Sequence, residues 1–558
     1  MSKRLTVAEA VGRTVARLGA AHAFGVVGSG NFHLTNAMVG SGVPFTAARH
    51  EMGATCMADA FSRTSGAVAV VSVHQGPGLT NALTGIGEAA KCHSRVLVVA
   101  GDTAVGDLVS NFRIDQDAVV AGLGAVPERV HSARTAVADV ARAYRRVALG
   151  RATVVLSVPI DIQEELIEWD AAMVPMIPER TAPGPSPISA DRLATMLVDA
   201  ERPVIVAGRG ARHAGEALRR LGDLSGAVLT TSAAARGLFV GDEWALDIMG
   251  GFATEGAAEI IADADLLVAF GAGLNRWTTR GGALLHGKTV VQVDDHAEAF
   301  GRHCLVDLEV LGDSAVVAAA VADLVESRRP TGRGYRRPEI AAAIRSVRYW
   351  SDQPVDSRAE SDRVDPRELT NALDALLPMA RIVVPDGGNF NCYPGAHLRV
   401  PDERGYCLPQ SYQSIGLALS SAIGAALALP GRLPIAGVGD GGFLMSLVEL
   451  DTAVRLGLGV LVVIYDDNAY GAEVHHYEQE TQELSTVTFP DTDLAAIARG
   501  YGCEAVTIRG LDDLRPVRDW LDGPRDRPLV FDAKVARFAS WVLEHAHGRD
   551  AVPAGAVR

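Results

Sequence analysis

The 558 residues include only six cysteines, at positions 56, 92, 304, 392, 407 and 503, and no two form a Cys-x-x-Cys pair. In so long a chain that excludes a disulfide framework or a cysteine zinc site and leaves reduced, structural thiols. No apolar run reaches the ~18 residues that a membrane span needs. The opening stretch has Val7, Val11, Val15 and Leu18 at helical spacing. It lacks the continuous apolar segment and cleavage site of a signal peptide, so the expected compartment is the cytoplasm. Positive charge is in deficit: 52 Lys and Arg stand against 67 Asp and Glu, a net charge of −15. That balance argues against a general nucleic-acid or anionic-membrane partner. Short repeats and low-complexity tracts are also missing.

What is present is ordinary globular composition, 48% hydrophobic and 21% charged, in a chain too long for one core. A proline-rich stretch from Met173 to Ala190 and an arginine-rich stretch from Glu326 to Arg363 read as linkers. They predict domains over 1–172, 191–326 and 364–545, each an α/β unit with a mostly parallel sheet flanked by helices. Continuous apolar runs such as Val68–Val73, Leu266–Phe270 and Val460–Tyr465 suit strands buried on both faces. Helices are expected over Met52–Arg63, Leu79–Cys92, Ser411–Leu427 and Leu444–Leu456.

The third block carries the most chemistry. Strand Leu433–Val438 ends in Gly439-Asp440-Gly441-Gly442, and strand Val460–Tyr465 ends in Asp466-Asp467-Asn468. Ligands of an open parallel sheet lie outside the carboxyl ends of its strands. Two strand ends therefore bring acids to one edge, where they repel unless a hard cation with oxygen ligands neutralises them. The glycines let backbone N–H groups approach a phosphate. A turn-rich loop of solvated acids would explain the first motif alone, but not the second acidic strand end.

On these residues the chain resembles the thiamine-diphosphate (ThDP) enzymes of the acetolactate synthase, benzoylformate decarboxylase and pyruvate oxidase family. Their Gly-Asp-Gly motif is followed 27 residues after the Asp by a metal-binding Asn; here that position is Asp467. The resemblance implies Mg²⁺ on Asp440, Asp467 and the carbonyl of Ala469, with Asn468 as the competing ligand if the register shifts. It covers nearly the whole chain. Arg49-His50-Glu51-Met52-Gly53-Ala54 is similar to the family's Arg-His-Glu-Gln-Gly-Ala, whose glutamate activates the cofactor's aminopyrimidine. The segment from His74-Gln75-Gly76-Pro77-Gly78 to Asn81 matches a family loop, and Gly28-Ser29 with His74 resembles benzoylformate decarboxylase. Asp386-Gly387-Gly388-Asn389-Phe390 occupies the diphosphate loop. Ser414-Ile415-Gly416 holds the wedge position under the cofactor. Ala469-Tyr470-Gly471 and His475-His476 follow the metal loop, where substrate contacts fall.

The implied roles are catalytic for Glu51, His74, Gln75, Ser29 and His476. Gly388, Asn389, Phe390, Ser414, Ile415, Gly439, Asp440, Gly441, Gly442, Asp467, Ala469, Tyr470 and Gly471 would hold the cofactor. The implied reaction is decarboxylation of a 2-oxo acid followed by carboligation to a second carbonyl. A simple decarboxylase and a non-catalytic ThDP-binding homologue stay open. The family builds its site between subunits, which implies a homodimer or homotetramer.

The middle block holds two tempting strings. Gly282 to Thr289 satisfies the P-loop pattern, but there the strand follows the helical segment instead of preceding it. Gly208-Arg209-Gly210 lacks the full dinucleotide fingerprint. Gly271 to Arg276 is similar to an acetolactate synthase stretch that contacts FAD, and the resemblance leaves FAD, ADP or neither open for this domain. Arg328, Arg329, Arg333, Arg336 and Arg337 read as a solvated connector.

Overall fold

A computed structural model describes residues 3–328 and 334–546. Three parallel sheets follow one another along the chain. The first orders its strands Phe45–Ala47, His22–Gly25, Ala69–Val73, Val96–Asp102, Val154–Pro159 and Val126–Arg129. The second runs Ala245–Ile248, Val228–Thr231, Pro203–Ala207, Leu266–Phe270, Thr289–Asp294 and Leu308–Leu311. The third runs Arg381–Pro385, Leu433–Gly439, Leu461–Asp466, Leu529–Lys534 and Glu504–Ile508. Strands Lys3–Thr6 and Leu166–Trp169 pair antiparallel outside these sheets. No helix among the described residues is long and apolar enough to cross a membrane.

Two expected helices differ from the sequence reading. The segment Ser411–Leu427 becomes helical only at Ala418, because the Asp386 carboxylate takes the N–H groups of Gly416 and Leu417 (2.8 and 3.3 Å). Gln413 and Gly416 there adopt positive φ, which no helix continues through. The segment Leu444–Leu456 is two short helices, Asp440–Ser446 and Glu449–Arg455, so the helix begins at the aspartate of the Gly-Asp-Gly turn itself.

The second linker is also largely structured. Helix Pro338–Val347 buries Ile344 against the middle domain, and Tyr335 donates to Ile260 O at 2.9 Å. Arg336 is not solvated: it donates to Ala227 O, pairs with Asp223 and lies over the Trp244 ring. Arg328 binds Asp191 and Thr195. Arg329 and Arg333 lie outside the described residues.

The first and last domains share one core. Helix Glu51–Ser65 packs on helix Ala418–Ala428 so closely that a Cβ on Gly424 would sit 2.0 Å from Met57 O. At the far end of this contact Arg63 lies buried between Asp59 and Glu88, at 3.3 and 3.6 Å. Glu88 spends its other lone pairs on the N–H groups of Ser411 and Tyr412 (3.1 and 2.7 Å). A first-domain carboxylate thus holds the third-domain loop that leads to Ile415. Removing it leaves a buried guanidinium half-paired and two backbone donors bare. Glu88→Ala is therefore expected to cost roughly 3–5 kcal/mol, read as a lowered unfolding temperature, with Glu88→Gln costing much less. Equal midpoints for Glu88→Ala and the unaltered protein would refute this.

Candidate active site

In the first sheet, strands His22–Gly25 and Ala69–Val73 adjoin where the strand order reverses, which opens a crevice at their carboxyl ends. Asn31 shapes one side of it. Its Oδ1 accepts from Gly28 N at 2.8 Å, and its Nδ2 donates to Val26 O and Ser72 Oγ. Ser29 then meets the ring that follows the other strand, with Oγ and His74 Nε2 3.3 Å apart. His74 Nδ1 lies 2.8 Å from Gln75 O. The carbonyl can only accept, so Nδ1 carries a proton, and in the neutral ring Nε2 is the acceptor.

Glu51 opens its helix beside this pair. The buried Glu449 carboxylate takes the N–H groups of Arg49 and His50, and His50 Nδ1 accepts from Met52 N. Glu51 Oε2 accepts from Asn81 Nδ2 at 3.1 Å. A Cβ on Gly78 would lie 2.9 Å from His74 Cβ and 3.6 Å from Glu51 Oε1, so the glycine separates the two groups. Ser29, Glu51, His74 and Asn81 form one cluster; Asn81 stood in the quoted loop but drew no role from sequence. Gln75 does not join them. Its side chain is buried, turned inward against Gly30 and Gly101.

The third sheet gathers its groups at the ends of three neighbouring strands. Asp440 and Asp467 line one cleft of about 1910 Å³ with Gly388, Asn389, Ile415, Gly439, Gly441, Gly442, Ala469, Tyr470, Gly471 and His476. Burial and then mutual repulsion push the Asp440 carboxyl up to about 8. Burial, opposed by Arg537, pushes Asp467 up to about 6. Asn468 is turned away: Asp466 Oδ1 accepts its Nδ2 at 3.0 Å, and its Oδ1 accepts from Arg363. Asp467, not Asn468, faces the cleft.

Other predicted residues take different parts. Phe390 offers no polar group; it stacks on Tyr465 with ring centroids 5.4 Å apart. Asn389 spends its side chain on Phe538 O and Ser540 N, which leaves only its backbone for a ligand. Ser414 Oγ donates to Ile415 O. His475 is buried beside Glu478, so of the two histidines only His476 reaches the cleft. Sequence reasoning missed two groups. Asp386 joins the diphosphate loop to the Ile415 loop through Gly387, Gly416 and Leu417 N–H groups, and burial pushes its carboxyl up to about 6. Gln410 Nε2 is buried beside Gly387 without a hydrogen-bond partner among the described residues. No local motif marks Gln410; only the fold brings it to the loop.

The cleft also reaches the middle domain, at the carboxyl ends where its strand order reverses. There Gly208 and Gly210 have given their N–H groups to Phe270 O and Gly271 O. The P-loop-like string is a 3-10 turn, Ala283–Leu285, followed by a strand. From the first domain the cleft takes residues 62–66, 90–95, Leu123, Gly124 and Arg151, while Glu51, Ser29, His74 and Gln75 are not in its walls. Helix rise puts Glu51 about 18 Å from Arg63.

Three family models match in chain order. They are the N-terminal TPP binding domain of thiamine pyrophosphate enzymes over residues 5–119, the central domain over 190–321 and the C-terminal TPP binding domain over 386–533. A probable 2-ketoarginine decarboxylase of Pseudomonas aeruginosa is 30% identical, with 92% of this chain and 91% of the relative covered. A sulfoacetaldehyde acetyltransferase of Castellaniella defragrans is 27% identical over 92% of this chain and 90% of the relative. An acetolactate synthase of Bacillus subtilis is 24% identical over 95% and 93%. The chain belongs to the thiamine pyrophosphate enzyme family.

The residues present fit ThDP and its cation. Two carboxylates that repel one another want a divalent ion between them. Gln410 Nε2 offers an unspent donor at the diphosphate loop. At Gly441 a Cβ would strike the Tyr470 ring at 2.5 Å, so this turn admits no side chain. Without a cation both carboxyl groups titrate above their ordinary range. A carboxyl raised on folding adds stability at low pH, and that stability is lost as pH rises through its folded value. The cofactor-free protein should lose thermal stability from about pH 4, the ordinary aspartate value, to about 8, and ThDP with a divalent cation should restore it. The same groups should release protons when the cation binds, so cation affinity should rise with pH. A calorimetric titration in buffers of different ionisation enthalpy reads that release, and an affinity independent of pH would contradict it.

Proposed function

We propose that the chain cleaves a 2-oxo acid with ThDP and Mg²⁺ and ends the reaction by delivering a proton, as a decarboxylase. The observation that carries this reading is the Ser29–His74 pair beside Glu51. Bound ThDP supplies the carbon nucleophile and the electron sink that lets CO₂ depart. Glu51, steadied by Asn81, would hold a proton at the pyrimidine ring. Asp440, Asp467 and the Ala469 carbonyl would hold the cation, and Gly388, Gly441 and Gly442 N–H groups the diphosphate. Ile415 would form the apolar wall beneath the cofactor. His74, with Nε2 fixed as acceptor, would exchange a proton with the substrate through Ser29 Oγ. His476 would face the substrate from the metal side.

The site is completed between two copies of the chain. The Glu51 cluster and the Asp440 cleft do not share walls within one chain. Exposed apolar side chains border each: Val27, Phe32 and Phe112 by Ser29 and His74, and Leu444, Met445 and Val448 after Asp440. Apolar surface of that extent favours a partner. A second reading, transfer to a second carbonyl, is favoured by the similarity to acetolactate synthase and to sulfoacetaldehyde acetyltransferase.

The test is CO₂ release from pyruvate, benzoylformate and 2-ketoarginine, with product identification. Release should require both ThDP and Mg²⁺ and yield an aldehyde; a coupled product would select the second reading. Glu51→Gln should bind ThDP and lose turnover by about 10²-fold or more. Unchanged turnover in that variant would refute the assigned proton role.

A further inference from the structure

The metal loop is gripped from outside by two guanidinium groups. Arg537 donates through Nε to Asp467 O at 3.1 Å, and through Nη2 to the same oxygen. Arg363 donates through Nη1 to Asp466 O and Val535 O, at 3.3 and 3.1 Å, and through Nη2 to Asn468 Oδ1. Three consecutive residues of the loop are thus held by two cations. Among the described residues, neither guanidinium is ion-paired with a carboxylate.

The nearby lysine cannot take this part. Lys534 is buried and already bonded to Asp466, Asp491 and Asp532, at 2.5, 2.7 and 3.3 Å. The segment carrying Arg537 is itself pinned to the diphosphate loop, through Asn389 Nδ2 to Phe538 O and Ser540 N to Asn389 Oδ1, both at 2.8 Å. Phe538 is held between Arg358 and Arg367, 4.8 and 5.1 Å from its ring centroid. Arg537 is exposed, but its two bonds to Asp467 O and this pinned segment hold its guanidinium next to the loop.

An aspartate at 467 adds one negative charge to a site that must also accept a diphosphate. Asp440 and Asp467 would balance the charge of a divalent cation that they hold, which would leave the diphosphate charge unbalanced. A positive group held at the loop offsets the excess. We infer that Arg537 is the counter-charge that lets aspartate stand at 467, and so is a positioning residue for the cation and the diphosphate. The inference rests on the ThDP and Mg²⁺ reading of this cleft.

A double-mutant cycle tests it, with Mg²⁺ titrated calorimetrically into protein and saturating ThDP, and circular dichroism checking the fold. Arg537→Met should weaken Mg²⁺ binding on the order of tenfold, and Arg537→Lys should recover most of the loss. In the Asp467→Asn background the methionine substitution should change affinity less than about threefold, because the excess charge is gone. Equal losses in both backgrounds, or no recovery with lysine, would overturn the role of Arg537 while leaving the cofactor site standing. An unaltered protein that binds no Mg²⁺ with ThDP would overturn the cofactor reading and this inference together.

Discussion

The close packing of helix Glu51–Ser65 on helix Ala418–Ala428 governs the rest of the molecule. Glycine at 424 allows backbone contact with Met57, and the two domains fuse into one apolar core. That contact runs along the Glu51 helix, and Glu51 itself is not in the walls of its own chain's Asp440 cleft. Arg63, Asp59 and Glu88 lock the arrangement, and Glu88 extends it to the loop bearing Ile415. One buried interface thus positions the Glu51 cluster and the Asp440 cleft apart from one another. In the proposed reading a second copy brings them together.

Each half-site then obeys the same topological rule. Parallel strands deliver their following loops to one edge, and the chemistry collects there. In the first domain the edge holds groups whose chemistry suits proton transfer: a carboxyl group, an imidazole and a hydroxyl. In the third it holds groups that bind charge: two carboxylates, glycine turns and an orphaned amide. The middle sheet has its own strand-order reversal, but its glycine turns are spent on backbone contacts.

Much of this was legible in the sequence because its signals are local. Strand Leu266–Phe270 was bounded correctly, since a continuous apolar run too short for a helix suits a strand buried on both faces. The Gly439–Gly442 turn and the acidic end of the next strand pointed to one cleft from spacing alone. What was not legible depends on distant partners. Nothing near Ser411 says that Asp386 and Glu88 will take the N–H groups a helix would need. Helix Pro338–Val347 shows only one apolar face among arginines, so it read as linker. Gln75 and Asn389 have the right type for ligand contact, yet Gln75 is buried against Gly30 and Gly101 and Asn389 is spent on Phe538 O and Ser540 N.

The central claim, that each site is assembled from two chains, is tested most directly by mixing inactive subunits. Glu51→Gln and Asp440→Ala proteins should each be inactive alone. Co-assembled mixed dimers would hold one site with both halves intact, and random pairing should restore about a quarter of the unaltered activity. No recovery from verified mixed dimers would contradict the account, because it would mean that Glu51 and Asp440 act within the same chain.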